Sequence, residues 1–464
     1  MAVSIYTSGT EKKSILLVAV ISAFLTPFMG SAINIALPAI GKEFESSAIL
    51  LSWIATAYLL SSAVFLVPFG RLADIYGRKK IFLSGMVIFT TASLLSAFST
   101  GISTLLVFRI FQGMGSSMIF ATGLAIVSSV FPPEERGRAF GLTIASVYIG
   151  LSIGPFAGGL MTEYLGWRSI FIFTVLLGIT GIVFLVHKIK GEWAESKGES
   201  FDLAGSVIYG VSLFLLIFGL SRLPSSEGFV CLVAGMTGIV IFIFYEMRIS
   251  YPVMQLSLFR NRPVFAWSNV AALINYSATF AVGFIISLYL QYVKEFTPRD
   301  AGFVLVSQPL IMAMVSPIAG RLSDRYEPRL LATMGMAVTT IGLFMIVFIN
   351  NMSILSLILT LILLGIGFGL FSSPNSNAIM SAVDKKYYGI ASGTMGTMRL
   401  LGQMFSMGIV MLILSVFIGR EPVTEENTYL FVNSIRVTFL LFSLLCFAGI
   451  FASMARGNIR IHKQ

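Results

Sequence analysis

Two arginines, Arg109 and Arg399, lie well inside long apolar stretches of the sequence, and Arg436 lies near the end of another. Arg109 is followed one helical turn later by Gln112, within the run LVFRIFQGMG. A buried arginine in an apolar span costs at least ~3 kcal/mol, so it usually faces a cavity or a bonding partner. Arg399 is therefore a candidate for a ligand cavity, whereas Arg436 can extend to a polar surface and has no assigned role. For Arg109, a chemical role and a structural role bonded to backbone carbonyls both remain open.

Uncharged amide side chains also occur inside the apolar stretches, where they could line a cavity for a small molecule. The chain has 40 Phe and 22 Met, which would make such a cavity apolar and adaptable. Most of these Phe and Met must pack between helices or face lipid, so none is singled out. The candidates for the cavity are Asn34, Gln112, Asn275, Gln308, Asn375, Arg399 and Gln403, with Asn269 and Asn377 as further buried amides.

The composition requires a membrane protein. The 464 residues are 56% hydrophobic and 11% charged, whereas soluble domains carry about 25% charged residues. A soluble fold could not cover so much apolar surface, so the bilayer must be the solvent. Cys231 and Cys446 lie inside apolar runs, and we expect no disulfide. His187 and His462 lie at the ends of apolar segments, so we expect no metal site and no cofactor.

Apolar runs long enough to cross a membrane indicate an all-α polytopic protein with about 14 transmembrane helices. Each crossing of a bilayer needs roughly 20 apolar residues. The first run is too long for the core of a signal peptide, so we expect it to be retained. The predicted spans are 14–37, 49–69, 81–98, 102–126, 138–160, 169–187, 203–220, 228–246, 265–291, 300–319, 331–349, 353–373, 390–418 and 431–454.

The distribution of positive charge predicts the orientation. Of the 31 lysines and arginines, 22 fall in the loops and tails on one predicted side, six on the other and three within spans. Positive loops remain in the cytoplasm, so both termini are predicted to be cytoplasmic. The net charge of +10 then reflects contact with anionic lipid, and no nucleic-acid partner is expected.

A short loop occurs twice, as GRLADIY at residues 70–76 and as GRLSDRY at residues 320–326. Five of the seven positions are identical, and each copy connects two apolar runs. Such a repeat predicts duplicated helical bundles with an internal pseudo-symmetry. The copies lie 250 residues apart, which leaves room for two extra helices between the bundles.

We therefore expect two pseudo-symmetric six-helix bundles with two inserted helices, a 6+2+6 arrangement. The expected divisions are residues 1–188 for the first bundle, 189–263 for a cytoplasmic linker with the two inserted helices, and 264–464 for the second bundle.

Several motifs resemble those of the major facilitator superfamily, over nearly the whole chain. The loop at residues 70–80 resembles the signature between its second and third helices, and LVFRIFQGMG resembles its second motif. The run GLSIGPFAGG at residues 150–159 looks like the motif associated with antiporters. INIALPAI, followed by SWIATAYLL, resembles the 14-helix drug:proton antiporter branch.

The resemblance implies a secondary active exporter of small amphipathic or drug-like molecules that works by alternating access, coupled to protons. It implies a small-molecule substrate, protons and the lipid bilayer as partners, and a monomer in the plasma membrane of a prokaryote. The alternatives are a dedicated exporter of one metabolite, peptide or lipid, or a facilitator without proton coupling.

The resemblance also implies that the repeated loops latch the two bundles in one conformation. Gly77 permits a tight turn, and Asp74 can accept N–H bonds at a neighbouring helix N-terminus. Alternatively, Asp74 caps its own third helix. The second copy has Glu327 and Pro328 after its repeat and lacks the turn glycine, which predicts a weaker latch. The latch candidates are Gly70, Arg71, Asp74, Gly77, Arg78, Gly320, Arg321 and Asp324.

The antiporter-like run predicts a helix with a smooth face. Gly150, Gly154 and Gly158 repeat every four residues, and Gly159 follows. Small residues at this spacing allow close helix packing, and Pro155 favours a kink. This suits an interface at which two bundles rock, although ordinary tight packing predicts the same pattern.

The proton carrier is not evident from the sequence. Related antiporters often have an Asp in the first helix, five residues before an Asn that matches Asn34, and this chain has Met29 there. The carboxylates lie in loops or near predicted helix ends. Arg109 and Glu163 are the candidates for coupling, with Glu246, Asp300 and Asp74 as other peripheral acids.

Other functional classes lack their motifs. The sequence contains no G-x-x-x-x-G-K-[ST] loop for ATP, and it has no segment polar and long enough for a soluble domain. It also has no HExxH or similar cluster inside a span, so we expect no enzymatic activity.

Overall fold

The computed structural model of the chain describes residues 9–131, 133–189, 191–194, 196–254, 256–383, 388–419 and 427–457. Within these ranges every regular element is helical. Fourteen of the described helical spans are long and apolar enough to cross a membrane. This confirms the predicted fold class and the number of spans.

The first half consists of six long helices that cross back and forth. α2 begins after Ser47, whose side chain accepts the N–H of Leu50 at 3.3 Å. It ends at a one-residue turn, Gly77, whose φ of +122° favours glycine. The helices are α1 (Gly9–Glu43), α2 (Ala48–Tyr76), α3 (Arg78–Ala97), α4 (Ile102–Val130), α5 (Pro133–Leu165) and α6 (Arg168–Lys188).

Two inserted helices follow, α7 (Leu203–Arg222) and α8 (Ser226–Glu246). They form a hairpin, and α7 packs against α2 of the first half and against a helix of the second. The Tyr209 hydroxyl donates to the Ala63 carbonyl at 3.4 Å, and Gly408 lies against Leu220. The hairpin therefore lies beside the two bundles and touches both.

The second half has the same order of crossings, built from more segments. They are α9 (Ser257–Asn261), α10 (Pro263–Thr279), α11 (Val282–Leu288), α12 (Pro298–Leu305), α13 (Ser307–Arg325), α14 (Pro328–Ile346), α15 (Ile354–Ser381), α16 (Tyr388–Phe417) and α17 (Thr428–Ala455).

Two predicted spans are interrupted helices in the structure. The predicted span 265–291 comprises α10, α11 and a π-helical turn over Tyr289–Val293. At its break, the N–H of Ala281 donates to the Ser406 hydroxyl at 3.1 Å, which replaces a helical bond inside the membrane. The span 300–319 breaks at Val306, where Pro309 cannot donate a backbone hydrogen bond.

The two halves share one pattern of helix packing. In the first, α1 packs on α5 and α6; in the second, α10 packs on α16 and α17. α4 packs on α2 and α3, as α15 does on α13 and α14. The α2–α3 and α13–α14 turns carry the repeated loops and lie on one side of the bundle, called here the loop side. The halves meet where α5 contacts α12, α2 contacts α16 and α1 contacts α11.

Candidate functional site

Arg109 is held in a closed network in the core of the first half. Its side chain is only 1% exposed. Its Nε donates to the Ile54 carbonyl at 3.0 Å, and its Nη1 bonds to the Gln112 side chain. Gln112 in turn donates to the Ser93 hydroxyl at 2.7 Å. Arg109 thus ties α4 to α2 and α3, and no described carboxylate takes part in this network.

Tyr58 of α2 covers this network. The Arg109 guanidinium carbon lies 4.4 Å from the centroid of its ring, and its hydroxyl donates to the Ser116 hydroxyl at 2.8 Å. Sequence reasoning did not select Tyr58 or Ser116, because neither one breaks an apolar pattern as a charged residue does. A cation held over an aromatic face is stabilised when water is excluded.

Arg399 of α16 reaches from the second half to the first. Its guanidinium carbon lies 5.1 Å from the ring centroid of Phe120 on α4. Its guanidinium also lies within electrostatic range of the hydroxyls of Tyr58 and of Tyr276 on α10. The Nε atom of Arg399 is buried and has no hydrogen-bond partner among the described residues. An unsatisfied donor therefore lies near aromatic side chains of both halves.

Tyr276 supplies the second-half side of this cluster. Its ring packs edge-to-face on Phe368 of α15, with centroids 5.4 Å apart. Gln403 lies one turn beyond Arg399 on α16 and is partly exposed. Phe120 and Arg399 each lie about 15 Å from the loop-side end of their helices, at 1.5 Å per residue. The cluster is therefore well inside the membrane-spanning region.

The other candidate amides are distributed over both halves. Gln308 is partly exposed on α13, and Asn375 donates to the Ser268 carbonyl at 3.1 Å. Asn275 is fully buried, and neither atom of its amide has a partner among the described residues. The further amides bond locally: Asn269 donates to the Phe265 carbonyl at 2.9 Å, and Asn377 donates to the Ser323 hydroxyl at 2.9 Å.

Three hydrogen bonds that join the two halves lie opposite the loop side. Ser287 donates to the Asn34 carbonyl at 2.9 Å, which places Asn34 at this contact. Gln291 of the π-helical turn donates to the Ile35 carbonyl at 3.1 Å. The third runs from Arg299 to the Tyr164 hydroxyl at 3.1 Å. We call this set the distal seal.

The glycine-rich run of α5 makes two different contacts. Gly150, Gly154 and Gly158 lie against α1, within the first half; a Cβ at Gly158 would come within 2.8 Å of the Ala32 Cβ. Gly159 instead faces the second half, where a Cβ would lie 2.6 Å from the Pro298 carbonyl oxygen. The Pro155 carbonyl meets Gly302 at the same interface. α5 therefore packs closely against α1 in its own half and, through the next residue, against the second half.

The first repeated loop is bound by the linker that follows α6. The Nη2 of Arg78 donates to Asp74 at 2.8 Å, and its Nη1 donates to the Ser129 hydroxyl at 3.0 Å. The N–H of Arg78 donates to the Trp193 carbonyl at 2.8 Å. The N–H of Ser196 donates to the Asp74 carbonyl at 2.9 Å. Asp74 is thus held by its own loop and by the linker.

Further contacts extend this docking. Glu199 forms an ion pair with Arg71, and the Glu192 carboxylate accepts the N–H of Lys79 at 2.8 Å. Gly70 lies against Ala121 of α4. We call residues 191–194 and 196–199 the linker strap. The sequence indicated a polar linker here but gave no sign of where it docks.

The second repeated loop is arranged differently. Gly320 lies against Ser373 of α15 and Arg321 is exposed, while the side chain of Asp324 lies outside the part of the chain that is described.

Arg456, which the sequence did not single out, is 1% exposed and its Nε donates to the Ser453 carbonyl at 2.8 Å. Burial, followed by the charge of Arg329, lowers the pKa of Arg456 to about 10.

The peripheral acids lie at helix ends. Glu163 is exposed near the end of α5. Asp300 bonds to Arg299 at 3.1 Å and donates its N–H to Thr297 at the start of α12. Glu246 is buried at the end of α8, near Asp202. Within the described residues no group of three His, Cys, Asp or Glu could hold a metal ion.

Comparisons with known proteins agree with this architecture. The sequence profile of the Major Facilitator Superfamily matches residues 19–407 and 269–458. A crystal structure of a peptide transporter POT mutant in complex with alafosfalin superposes with a TM-score of 0.69, at 16% identity, over 94% of this chain and 93% of that one.

Three curated relatives cover most of the chain. The riboflavin transporter RibZ of Clostridioides difficile (strain 630) is 32% identical over 95% of this chain and 96% of its own. The multidrug resistance protein Stp of Mycobacterium tuberculosis is 30% identical, over 85% and 74%. The cephamycin export protein CmcT of Amycolatopsis lactamdurans is 28% identical, over 91% and 89%. On its fourteen apolar helices, its repeated bundles and this profile match, the chain is a multi-pass membrane transporter that belongs to the Major Facilitator Superfamily.

Proposed function

We propose that this transporter is a secondary active exporter of small amphipathic or drug-like molecules, working by alternating access and exchanging its substrate for protons. The observation that carries the proposal is the position of Arg399. It lies between the two halves, over Phe120, with an unsatisfied Nε donor. A site that both halves form can be exposed first to one side of the membrane and then to the other.

The chemistry of this cluster selects a class of substrate. Arg399 contributes a permanent positive charge and hydrogen-bond donors, and Phe120, Tyr58 and Tyr276 contribute aromatic surface. No described carboxylate bonds to Arg399 or Arg109. A cationic substrate would therefore meet repulsion without a counter-charge, and neutral or anionic amphipathic molecules are the favoured cargo.

The distal seal supports an alternating-access cycle. Its hydrogen bonds join α1 to α11 and the π-helical turn, and α5 to α12. Opening the side of the protein opposite the loop side requires these bonds to break. With the loop side in the cytoplasm, as the distribution of Lys and Arg predicts, the described conformation is closed towards the outside.

Proton coupling rests on the antiporter-like run at residues 150–159 and on the relatives named as resistance and export proteins. The Arg109 network contains no acid. A proton would then be carried by a peripheral acid, with Glu163 as the first candidate, or by the substrate.

We place the protein in a prokaryotic plasma membrane as a monomer, with both termini in the cytoplasm. A single cysteine added near Gln464, in a background without Cys231 and Cys446, tests the orientation. We expect it to react with a membrane-impermeant thiol reagent only after permeabilisation. Reaction in intact cells would reverse the assignment.

A second candidate function is transport of one dedicated planar metabolite. The riboflavin transporter RibZ matches nearly the full length of this chain, and an arginine near several aromatic side chains suits a flat heteroaromatic ring. In this case only a narrow set of ligands would bind.

Binding to the purified protein in nanodiscs distinguishes these candidates. The probes are riboflavin, followed by its fluorescence, and a panel of neutral, anionic and dicationic amphipathic dyes. We expect several neutral or anionic dyes to bind and Arg399→Ala to weaken all of them, whereas Arg436→Ala serves as the matched control. Binding of riboflavin alone would favour the second candidate. Equal binding by both arginine variants would contradict the proposed site.

A further inference from the structure

Two buried carboxyl groups face each other at the loop side of the inserted hairpin. Asp202 is the residue before α7, and Glu246 is the last residue of α8. Asp202 is 6% exposed and Glu246 is 3% exposed. They lie away from the contacts between the two halves, and the proposed transport function uses neither residue as a ligand for the substrate.

One oxygen of each carboxyl has conventional partners. Oδ1 of Asp202 accepts the N–H of Gly205 at 2.9 Å and the Tyr245 hydroxyl at 3.2 Å. Oε2 of Glu246 accepts the N–H of Met254 at 2.9 Å. These bonds fix both side chains, so neither can turn to solvent without losing a backbone hydrogen bond.

The other two oxygens meet each other without a donor. Asp202 Oδ2 and Glu246 Oε1 have no hydrogen-bond partner among the described residues. A Cβ placed on Gly205 would touch both atoms, and the two side chains are within hydrogen-bonding range of each other. Two acceptors at this separation require a hydrogen between them, because an unsatisfied buried polar atom is costly.

The surroundings do not supply a counter-charge. Neither carboxyl has an ion-pair partner in the described part of the chain, and the titratable group that α8 adds beside them is Tyr245. Arg71 of α2, which packs against α7, is paired with Glu199. Two ionised carboxylates in contact repel strongly, so such a pair binds one proton between them.

We propose that Asp202 and Glu246 form a proton-binding site that holds one shared proton at the loop side of the inserted helices. A cavity of ≈ 500 Å³ is lined by Asp202, Tyr245 and Tyr251 among others, so water can reach the pair from the Asp202 side. The shared proton connects Asp202 at the start of α7 with Glu246 at the end of α8. Because Glu246 also accepts the N–H of Met254, that backbone segment is held as well.

Loss of the proton has a defined structural consequence. Two charges then face each other over Gly205, and one carboxyl must turn towards the cavity and release the N–H of Gly205 or Met254. The linker strap, which binds the first repeated loop, ends three residues before Asp202. Loss of these bonds therefore weakens the attachment of the start of α7 close to the strap. The stabilisation is present while the proton is bound and is lost as the pH rises.

Infrared spectroscopy of the full-length protein in nanodiscs tests the site directly. We expect a carbonyl stretch of a protonated carboxyl at neutral pH that disappears at alkaline pH. Asp202→Asn and Glu246→Gln should each remove this band, whereas Glu227→Gln, at an exposed carboxyl in the first turn of α8, should leave it unchanged. Absence of the band from the native protein, or its survival in both variants, would overturn the proposal.

The melting temperature against pH provides a second readout that does not depend on transport. The native protein should lose stability towards alkaline pH, and Glu246→Gln, which keeps the shape and supplies a permanent donor, should remove that part of the loss. Ca²⁺ or Mg²⁺ is the alternative occupant of two facing carboxylates. A melting temperature that rises with either cation and falls with chelator would replace the shared proton with a metal site.

Discussion

The backbone N–H of Arg78 donates a hydrogen bond of 2.8 Å to the carbonyl of Trp193. This bond joins the first residue of α3 to the linker that leads to the inserted helices. Glu199 and Ser196 bind the same loop through Arg71 and the Asp74 carbonyl. The first repeated loop is therefore held by the segment of the chain that leads from α6 to the two inserted helices.

We expect Asp74→Asn to reduce transport more than Asp324→Asn. Asp74 receives two bonds from Arg78, at 3.0 and 2.8 Å, whereas the second loop lacks a glycine equivalent to Gly77. Loss of a partly exposed ionic pair of this kind costs about 1 kcal/mol, which corresponds to several-fold in the population of the latched state. Efflux rates at matched expression test this. An equal loss in both variants, or a larger one at Asp324, would refute the asymmetry.

Adjacent glycines on α5 should respond differently to the same substitution. A Cβ at Gly159 would lie 2.6 Å from the Pro298 oxygen, so Gly159→Ala should disturb the distal seal. A Cβ at Gly158 meets Ala32 within the first half, and Gly158→Ala should lower stability by about 1–3 kcal/mol. Thermal unfolding and transport, measured on both variants, separate the two effects.

Gly101→Ala is the matched control, since a Cβ there meets nothing within 4 Å. We expect it to melt and transport as the native protein does. If Gly159→Ala lowered the melting temperature as much as Gly158→Ala while transport per folded molecule stayed native, the contact between halves would have no role in the cycle.

Arg109→Ala should destabilise the first half. It would leave the buried Ile54 carbonyl and the Gln112 side chain without their donor, at about 1–3 kcal/mol for each unsatisfied group. Arg436→Ala is the control, because its Nε makes one long bond to the Val347 carbonyl at 3.3 Å in an exposed position. Melting temperatures in detergent measure the difference. A stable Arg109→Ala protein that transports without responding to a pH gradient would instead assign Arg109 to coupling.

A disulfide across the distal seal should arrest the cycle. An ideal Cβ at Gly283 lies 4.0 Å from the Asn34 side-chain nitrogen, so the two positions face each other across the halves. Loss of free thiols in the double-cysteine variant on oxidation checks that the bond forms. In a background without Cys231 and Cys446, oxidation of Asn34→Cys/Gly283→Cys should abolish transport, and a reductant should restore it. Each single-cysteine variant is a control. Native transport by the oxidised double variant would mean that the seal does not open.

The parts of this architecture that depend on local pattern were predictable from the sequence. Hydropathy predicted the fourteen spans, and the repeated loop predicted the two bundles. The positive φ of Gly77 followed from a glycine between two helices. The break between α10 and α11 was not predictable, because the donor at Ala281 is satisfied by Ser406, more than a hundred residues away.

The candidate site divides in the same way. Arg109 and Arg399 stood out as charges in apolar runs, and Gln112 stood out beside Arg109. Phe120 and Tyr58 are two of 40 Phe and 15 Tyr, which no sequence pattern sets apart. Only the packing of α2 against α16, and of α4 against α2, brings them near Arg399. The linker strap binds the first repeated loop, and Asp202 approaches Glu246, through contacts between residues far apart in the sequence. The spacing of residues along the chain does not predict such contacts.

Transport by proteoliposomes under an imposed pH gradient tests the proposed function most directly. The vesicles carry the native protein, Arg399→Ala or Arg436→Ala, and a neutral or anionic dye that the native protein binds. We predict that the gradient drives dye movement by the native and Arg436→Ala proteins, that a protonophore abolishes it, and that Arg399→Ala loses most of it. Movement that ignores the gradient, or native transport by Arg399→Ala, would contradict a proton-coupled exporter that binds its substrate at Arg399.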